Sequence, residues 1–169
     1  MKEAIGGTWL FGIVIVFIVF FTTYISMSTN YSKAFKVKDE LISIVERYKG
    51  VNGDSIEKIN NYLGDIGYFS RGKCDNGSGI RANFTDWAGC TYNNNRSCVK
   101  NASNANYCIR RSKFVTGDSD AAHPRSAHYQ VVVFFTIDWP VLGSLINVRI
   151  EGETGIVHMF NDESRFLQP

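Results

Sequence analysis

The sequence predicts an α+β protein in which a long N-terminal helix, transmembrane in its first half and amphipathic in its second, packs on an antiparallel β-sheet beside a disulfide-stapled loop region. Three observations carry this. Trp9–Met27 reads WLFGIVIVFIVFFTTYISM, an apolar run with no charge. Ala34, Val37, Leu41, Ile44 and Tyr48 then recur at spacings of 3, 4, 3 and 4, an apolar stripe at helical period. Near the other end, Tyr129–Ile137 reads YQVVVFFTI, rich in β-branched and aromatic residues.

At about 1.5 Å per residue, a helix over Trp9–Met27 comes close to spanning the hydrocarbon core of a bilayer, which takes about 20 residues. A cleaved signal peptide would carry a basic start, a shorter apolar stretch and a small-x-small cleavage site. Here Lys2 is offset by Glu3, and the exit Thr22-Thr23-Tyr24-Ile25-Ser26-Met27-Ser28 offers no such site. A buried core helix would need a second apolar segment of that length, which the chain lacks. The reading is a retained single-pass anchor: residues 1–8 a short cytoplasmic N-terminus, 9–28 the transmembrane helix, 29–49 its amphipathic extension and 50–169 the head.

Orientation is contested. Lys33, Lys36 and Lys38 follow the run and favour a cytoplasmic head, since acidic residues such as Asp39 and Glu40 count little in that rule. The four cysteines, Cys74, Cys90, Cys98 and Cys108, argue the other way. An even, clustered set in an anchored domain reads as a disulfide framework in an oxidising compartment. Their gaps of 15, 7 and 9 residues lack the C-x2-C of zinc sites, and His123 and His128 do not follow at ligand spacing. The cysteines outweigh the lysines, so the head is expected outside the cytoplasm. Four cysteines allow three pairings and the sequence does not choose; Cys90–Cys98 nested inside Cys74–Cys108 is favoured.

Between Thr8 and Tyr48 the sole Gly or Pro is Gly12, so one rod of about 40 residues and on the order of 60 Å is expected. Its stripe can pack on the chain's own head or on a neighbour's helix, and the former is favoured. Gly50-Val51-Asn52-Gly53 ends it. Asp54 is expected to N-cap a second helix, with Glu57 completing a capping box. Ile56, Ile59, Leu63 and Ile66 line that helix, which should finish near Gly67. From Arg71 to Arg125 the chain is dense in Gly, Asn, Ser and Asp, with short strands expected at Gly79–Phe84 and Tyr107–Lys113. Such a segment orders itself poorly by burial alone, which is where crosslinks help. Asp138-Trp139-Pro140 should close the first long strand, because Pro140 cannot donate to a ladder. A second runs from Leu145 to about Phe160, where Ile146, Val148 and Ile150 alternate with Asn147, Arg149 and Glu151. Gly152 is expected to be a bulge within it.

No catalytic set emerges. Clustered cysteines point to pairing rather than to a thiol nucleophile, and His123, His128 and His158 lack a carboxylate at telling spacing. Gly117-Asp118-Ser119-Asp120 lacks the Gly and closing Glu of a calcium loop. No Gly-rich phosphate loop or Gly-x-Ser-x-Gly elbow occurs, and no cofactor is expected. Trp139 reads as a partly buried packing residue. Asn-x-Ser/Thr triplets at Asn30, Asn76, Asn83, Asn95 and Asn101 are accounted for by an Asn-rich composition. A net charge of +2 with no basic stripe gives no sign of nucleic-acid binding.

A membrane helix, an amphipathic extension and a crosslinked α+β head make the layout of pilins and pseudopilins. More specifically, Val131–Thr154, VVVFFTIDWPVLGSLINVRIEGET, resembles the C-terminal pattern of TadE-like proteins, minor pilin-like components of tight-adherence (Flp) pilus systems. There a strand leads through a Pro-Val-Leu-Gly loop, here Pro140–Gly143, to a final strand; Gly152-Glu153-Thr154 resembles the ending of Gram-positive members. The resemblance is close over about 25 residues, loose over the anchor, and does not reach the cysteine-rich middle. It implies a pilin-like fold and a non-enzymatic role in assembly, adhesion or secretion. It also implies partners in the bilayer and in other pilus subunits contacted through the N-terminal helix. Pilin leaders are cut after a Gly, which makes Gly6 and Gly7 the processing candidates. The following Thr8-Trp9-Leu10-Phe11-Gly12 lacks the Glu that pilins carry at the fifth mature position. The rival class is a membrane-tethered binding domain outside any filament.

Overall fold

Helix α1 runs unbroken from Lys2 to Arg47 in a computed structural model that describes residues 2–75, 84–92, 98–112, 125–139 and 143–159. Its apolar half packs on no other described part of the chain: the stretch long and apolar enough to cross a membrane is 0% buried, and no other described helix qualifies. Within that half the threonine hydroxyls donate back to carbonyls of their own helix. Thr22 reaches Ile18 and Val19, Thr23 reaches Val19 and Thr29 reaches Ile25, at 2.8–3.0 Å. The hydroxyls thus need no water, as a lipid environment demands.

The second half of α1 is the core. Ala34, Val37, Leu41 and Ile44 are fully buried, together with Val45, which the stripe read from spacing omits, while Tyr48 is half-buried just past the helix end. Arg47 is the last helical residue, two short of the expected 49. Lys49 takes a left-handed φ of 56° and Gly50 a φ of 123°. The amides of Lys49 and Gly50 donate to the carbonyls of Glu46 and Val45, at 3.1 and 2.8 Å. This is a Schellman ending with a lysine, rather than the glycine, at the left-handed position.

Helix α2 spans Gly53–Asp65 and starts differently from the expectation. Asn52, not Asp54, is the N-cap. Its side-chain oxygen accepts from the Ser55 amide at 2.8 Å, and Ser55 Oγ accepts from the Asn52 amide at 2.9 Å, so Ser55 closes the capping box in place of Glu57. Asn52 is extended (φ −130°, ψ 176°), as a cap must be, whereas Asp54 already lies inside the first turn. Ile56, Ile59 and Leu63 are buried and Ile66 is partly so. A second Schellman motif ends α2 at Gly67, φ 62°, with Gly67 and Tyr68 donating to Gly64 and Leu63.

Seven strands follow: β1 Ala88–Cys90, β2 Cys98–Lys100, β3 Tyr107–Arg111, β4 Arg125–Ala127, β5 Tyr129–Trp139, β6 Gly143–Glu153 and β7 Val157–Met159. Five form an antiparallel sheet in the order β2-β1-β3-β5-β6, and β4 pairs with β7 in a second, two-stranded sheet. Helix α1 lies across β5 and β6. Along β5, Tyr129, Val131, Val133 and Phe135 point to the helices, while Val132 and Phe134 join Trp87, Ala105, Cys74 and Cys108 in a separate cluster on the outer face. The central strand is therefore apolar on both sides, which explains its uninterrupted run.

The long hairpin is present but its irregularities lie elsewhere. Gly152 is a regular partner of Val131; a Cβ there would lie 2.7 Å from Ile42 Cδ1 and 2.8 Å from Lys38 Cδ, so the glycine admits the side chains of α1. The single long strand to Phe160 is instead two strands, broken at Thr154–Ile156. From Ala127 to Gln130 is three residues on one side; from Glu153 to Val157 is four on the other, which puts the extra residue there. A further register shift falls at Ile137/Asp138. Of the two short strands expected, Tyr107–Lys113 is found as β3. Gly79–Phe84 lies mostly outside the described residues, though Phe84 bridges Ser112.

The cap assignment is testable. In denaturant titrations of the full chain in detergent, Asn52→Ala should lower stability by about 1 kcal/mol and Asp54→Ala by no more than about half of that.

Candidate functional site

The four cysteines form the nested pair, Cys74–Cys108 and Cys90–Cys98, and no described cysteine is free. Cys90 and Cys98 sit opposite one another across β1 and β2, with Cα atoms 4.3 Å apart, so this bond clamps the sheet's outer strand to its neighbour. Cys108 projects from β3 to the outer face and holds the segment at Cys74 against the sheet. Closing loops of 8 and 34 residues, each bond stabilises by about 2–4 kcal/mol in the chain-entropy account. The packing beneath is tight: a Cβ on Gly89 would lie 2.5 Å from Ala102 Cβ and 2.7 Å from Cys74 Sγ.

Beside this crosslink the outer face carries polar side chains stacked on and bonded to one another, while the buried Trp87 indole N–H has no hydrogen-bond partner among the described residues. The indole of Trp87 is 1% exposed and has the guanidinium carbons of Arg110 and Arg149 at 4.3 and 4.8 Å from its ring centre. Arg110 Nε donates to Gln130 Oε1 at 2.5 Å, and the Gln130 amide donates to Glu153, a row across β3, β5 and β6 at paired register. Arg149 also meets Asp75 at 3.5 Å and Glu151 at 2.8 Å. Cation–π stacking and charge-assisted bonds fix these side chains, leaving them architectural rather than reactive.

The remaining candidates gather where α1 enters the head. The stripe Ala34, Val37, Leu41 and Ile44 is covered by the chain's own sheet. What α1 leaves open at this level is Tyr31 and Phe35, 49% and 42% exposed, with rings 6.2 Å apart. Tyr31 also meets Phe135 edge-on at 5.9 Å, and Lys38, largely buried, lays its ammonium 3.6 Å from the Phe35 ring centre while pairing with Asp39. Next to them a cleft of about 150 Å³ is lined by Asn30, Lys33, Gly67, Tyr68, Phe69, Ser70, Phe135 and Thr136. Gly6 and Gly7 lie within α1.

His128 and His158 are exposed: the His128 amide donates to Ser112 Oγ, and the His158 ring bonds Ser126 at 3.0 Å. No group of three or more His, Cys, Asp or Glu able to hold a metal occurs among the described residues. His123, the Asp118–Asp120 segment, Pro140–Leu142 of the proline loop and the sequons Asn76, Asn83 and Asn95 lie outside the described residues. Asn30 sits on α1 at the cleft, and Asn101 is exposed in a left-handed turn, φ 51°. Trp139 ends β5.

The perturbed titrations belong to tyrosines. Burial pushes the hydroxyls of Tyr68 and Tyr107 well above the ordinary tyrosine range, and burial together with the nearby Glu40 carboxylate raises that of Tyr62. Tyr107 donates to Asn60 Oδ1 at 3.3 Å, and Tyr68 donates to the Phe134 carbonyl at the stretch of β5 that runs past β3. These are structural hydrogen bonds, not acid–base groups.

Comparison with family models, curated proteins and solved structures finds no match to this chain. The geometry of the junction therefore stands on its own. Sequence reasoning finds the cysteines and the stripe but not the Trp87 stack or the cleft, each of which joins residues from three or more separated segments.

Because the raised tyrosines stay protonated in the folded chain after their unfolded counterparts ionise, stability is full below pH about 10 and falls as pH rises above it. Denaturant midpoints from pH 8 to 11 should show that fall, and Tyr107→Phe should make it shallower.

Proposed function

We propose that this protein is a membrane-anchored, pilin-like component of a bacterial pilus or secretion system, related in kind to the TadE-like proteins of Gram-positive tight-adherence systems. It would act by assembly or adhesion rather than by catalysis. The observation that supports this reading most is the continuity of α1. One helix carries a wholly exposed apolar half and a buried half packed on an antiparallel sheet. A rod of this kind holds the head at a fixed distance from the bilayer and offers its apolar half to lipid or to neighbouring helices. Two disulfides in the head fit an oxidising compartment and hence an extracytoplasmic head.

A second reading is a membrane-tethered binding domain that never enters a filament. The missing Glu after Gly7 favours it, because that carboxylate is what the pilin pattern would use to neutralise a neighbour's terminal amine.

One measurement tests the placement of the head that both readings share, and a second decides between them. Intact-cell labelling should reach the cysteines only after reductant is added; labelling that needs lysis and no reductant would put the head in the cytoplasm. Mass spectrometry of the mature N-terminus should find Gly7 or Thr8 if the chain is processed as a pilin, and recovery with sheared surface fibres should follow. An intact N-terminus in a chain that stays with the membrane fraction supports the tethered binding domain.

A further inference from the structure

We propose that the cleft at the junction of α1 and the head binds the phosphate-bearing headgroup of an anionic phospholipid. The inference rests on reading α1 as a membrane anchor, and deepens it by giving the head its own lipid contact.

Depth is the first argument. Residues 4–32 contain no Asp, Glu, Lys or Arg. At about 1.5 Å per residue this uncharged stretch is roughly 43 Å long, the thickness of a bilayer with its headgroup layers. Glu3 and Lys33 then mark its two polar edges, with Trp9 inside one edge and Tyr31 at the other, where interfacial aromatic residues belong. Asn30 and Lys33, which form the helical wall of the cleft, lie at headgroup level.

Chemistry is the second. The lining contains one cation, Lys33, and no carboxylate. Asn30, Ser70 and Thr136 add side-chain donors, and Arg71 follows on the same loop, exposed. Lys33 Nζ currently donates to the Ile66 carbonyl at 3.2 Å, which holds the ammonium at the cleft and leaves it further protons to donate. Phe69, 59% exposed, stands on the same loop and adds an apolar residue to the lining.

Preorganisation is the third. The loop that forms the outer wall is tied down at three successive residues. Asn106 Nδ2 donates to the Ser70 carbonyl, Asn147 Nδ2 donates to the Arg71 carbonyl, and Gly72 exchanges two backbone bonds with Ala105. The left-handed Gly67 ends α2 at its entrance. A cleft held this way loses little order on binding, which favours affinity. A lipid rather than free phosphate is the expected occupant because the anchor holds the cleft permanently at the headgroup layer.

The test uses the full chain, isotope-labelled, in a neutral detergent, so it reads the cleft whether or not the chain joins a pilus. Dihexanoyl phosphatidylglycerol should shift the amide signals of Gly67–Ser70 saturably. Lys33→Gln should weaken this about tenfold or more, as expected for losing a charged hydrogen bond, and Lys36→Gln, on the same helix but outside the cleft, should not. Dihexanoyl phosphatidylcholine and inorganic phosphate should bind at least tenfold more weakly. The proposal is overturned if those amides do not respond, if Lys33→Gln binds like the parent chain, or if either control ligand binds as well as phosphatidylglycerol. A chain that binds the lipid here yet fails to fractionate with membranes would sink the anchor reading and leave the cleft intact.

Discussion

The contact between the buried stripe of α1 and the inner face of β5 and β6 is the interaction on which the remaining structure depends. Val37, Leu41, Ile44 and Val45 sit against Val131, Val133 and Phe135, and each such side chain contributes on the order of 1.5–3 kcal/mol by leaving water. Among the described residues no other long element covers that face, since α2 is 13 residues. Polar ties fasten both ends of the contact: Lys33 to the Ile66 carbonyl near the membrane, and Glu46 to the Gly155 amide far from it. The second half of α1 is thus fixed to the head at two ends and along its length.

The opposite face of the sheet follows a different logic. Among the described residues no helix covers it, and the layer there is made by the segments at Cys74, Trp87 and Ala102–Ala105. Covalent and electrostatic devices add to the burial of Trp87, Ala105, Val132 and Phe134 there: the Cys74–Cys108 bond, the two guanidiniums on Trp87 and the Arg110–Gln130–Glu153 row. Crosslinks act chiefly on the unfolded chain, which is where a loop-rich layer loses most. The Cys74–Cys108 bond lies on the outer face and the Cys90–Cys98 bond belongs to the helix-facing cluster, so each face of the sheet combines hydrophobic burial with a crosslink that needs an oxidising environment.

These features converge where α1 enters the head. There the α2–β1 loop and the overhanging part of β5 face Lys33 across the cleft, and Tyr31 packs on Phe135 beside it. The overhang exists because β5 outlasts β3, whose last pairing is Tyr107 with Val133. Past that point β5 turns its free edge to the loop at Tyr68–Gly72, and the cleft is the space left between that loop and α1.

Local sequence by itself determined the elements whose signal repeats along the chain. The stripe from Ala34 to Ile44, the α2 face at Ile56, Ile59 and Leu63 and the alternation of β6 declare themselves by period, because period is fixed by backbone geometry, while the apolar run and β5 declare themselves by composition. Clustered cysteines likewise announce crosslinks. Only the tertiary structure decided what depends on neighbours. Asn52 and Asp54 are both good caps, and the Schellman turn at Lys49–Gly50 together with burial of Val51 selects the first. Gly152 looks like a bulge until the side chains of α1 are seen to need its space. Three-residue strands such as β1, β4 and β7 are too short to show a period. The cleft unites residues 30 and 33, 67–70, and 135 and 136, and no local pattern encodes that meeting, because it is made by the packing of three elements rather than by any one of them.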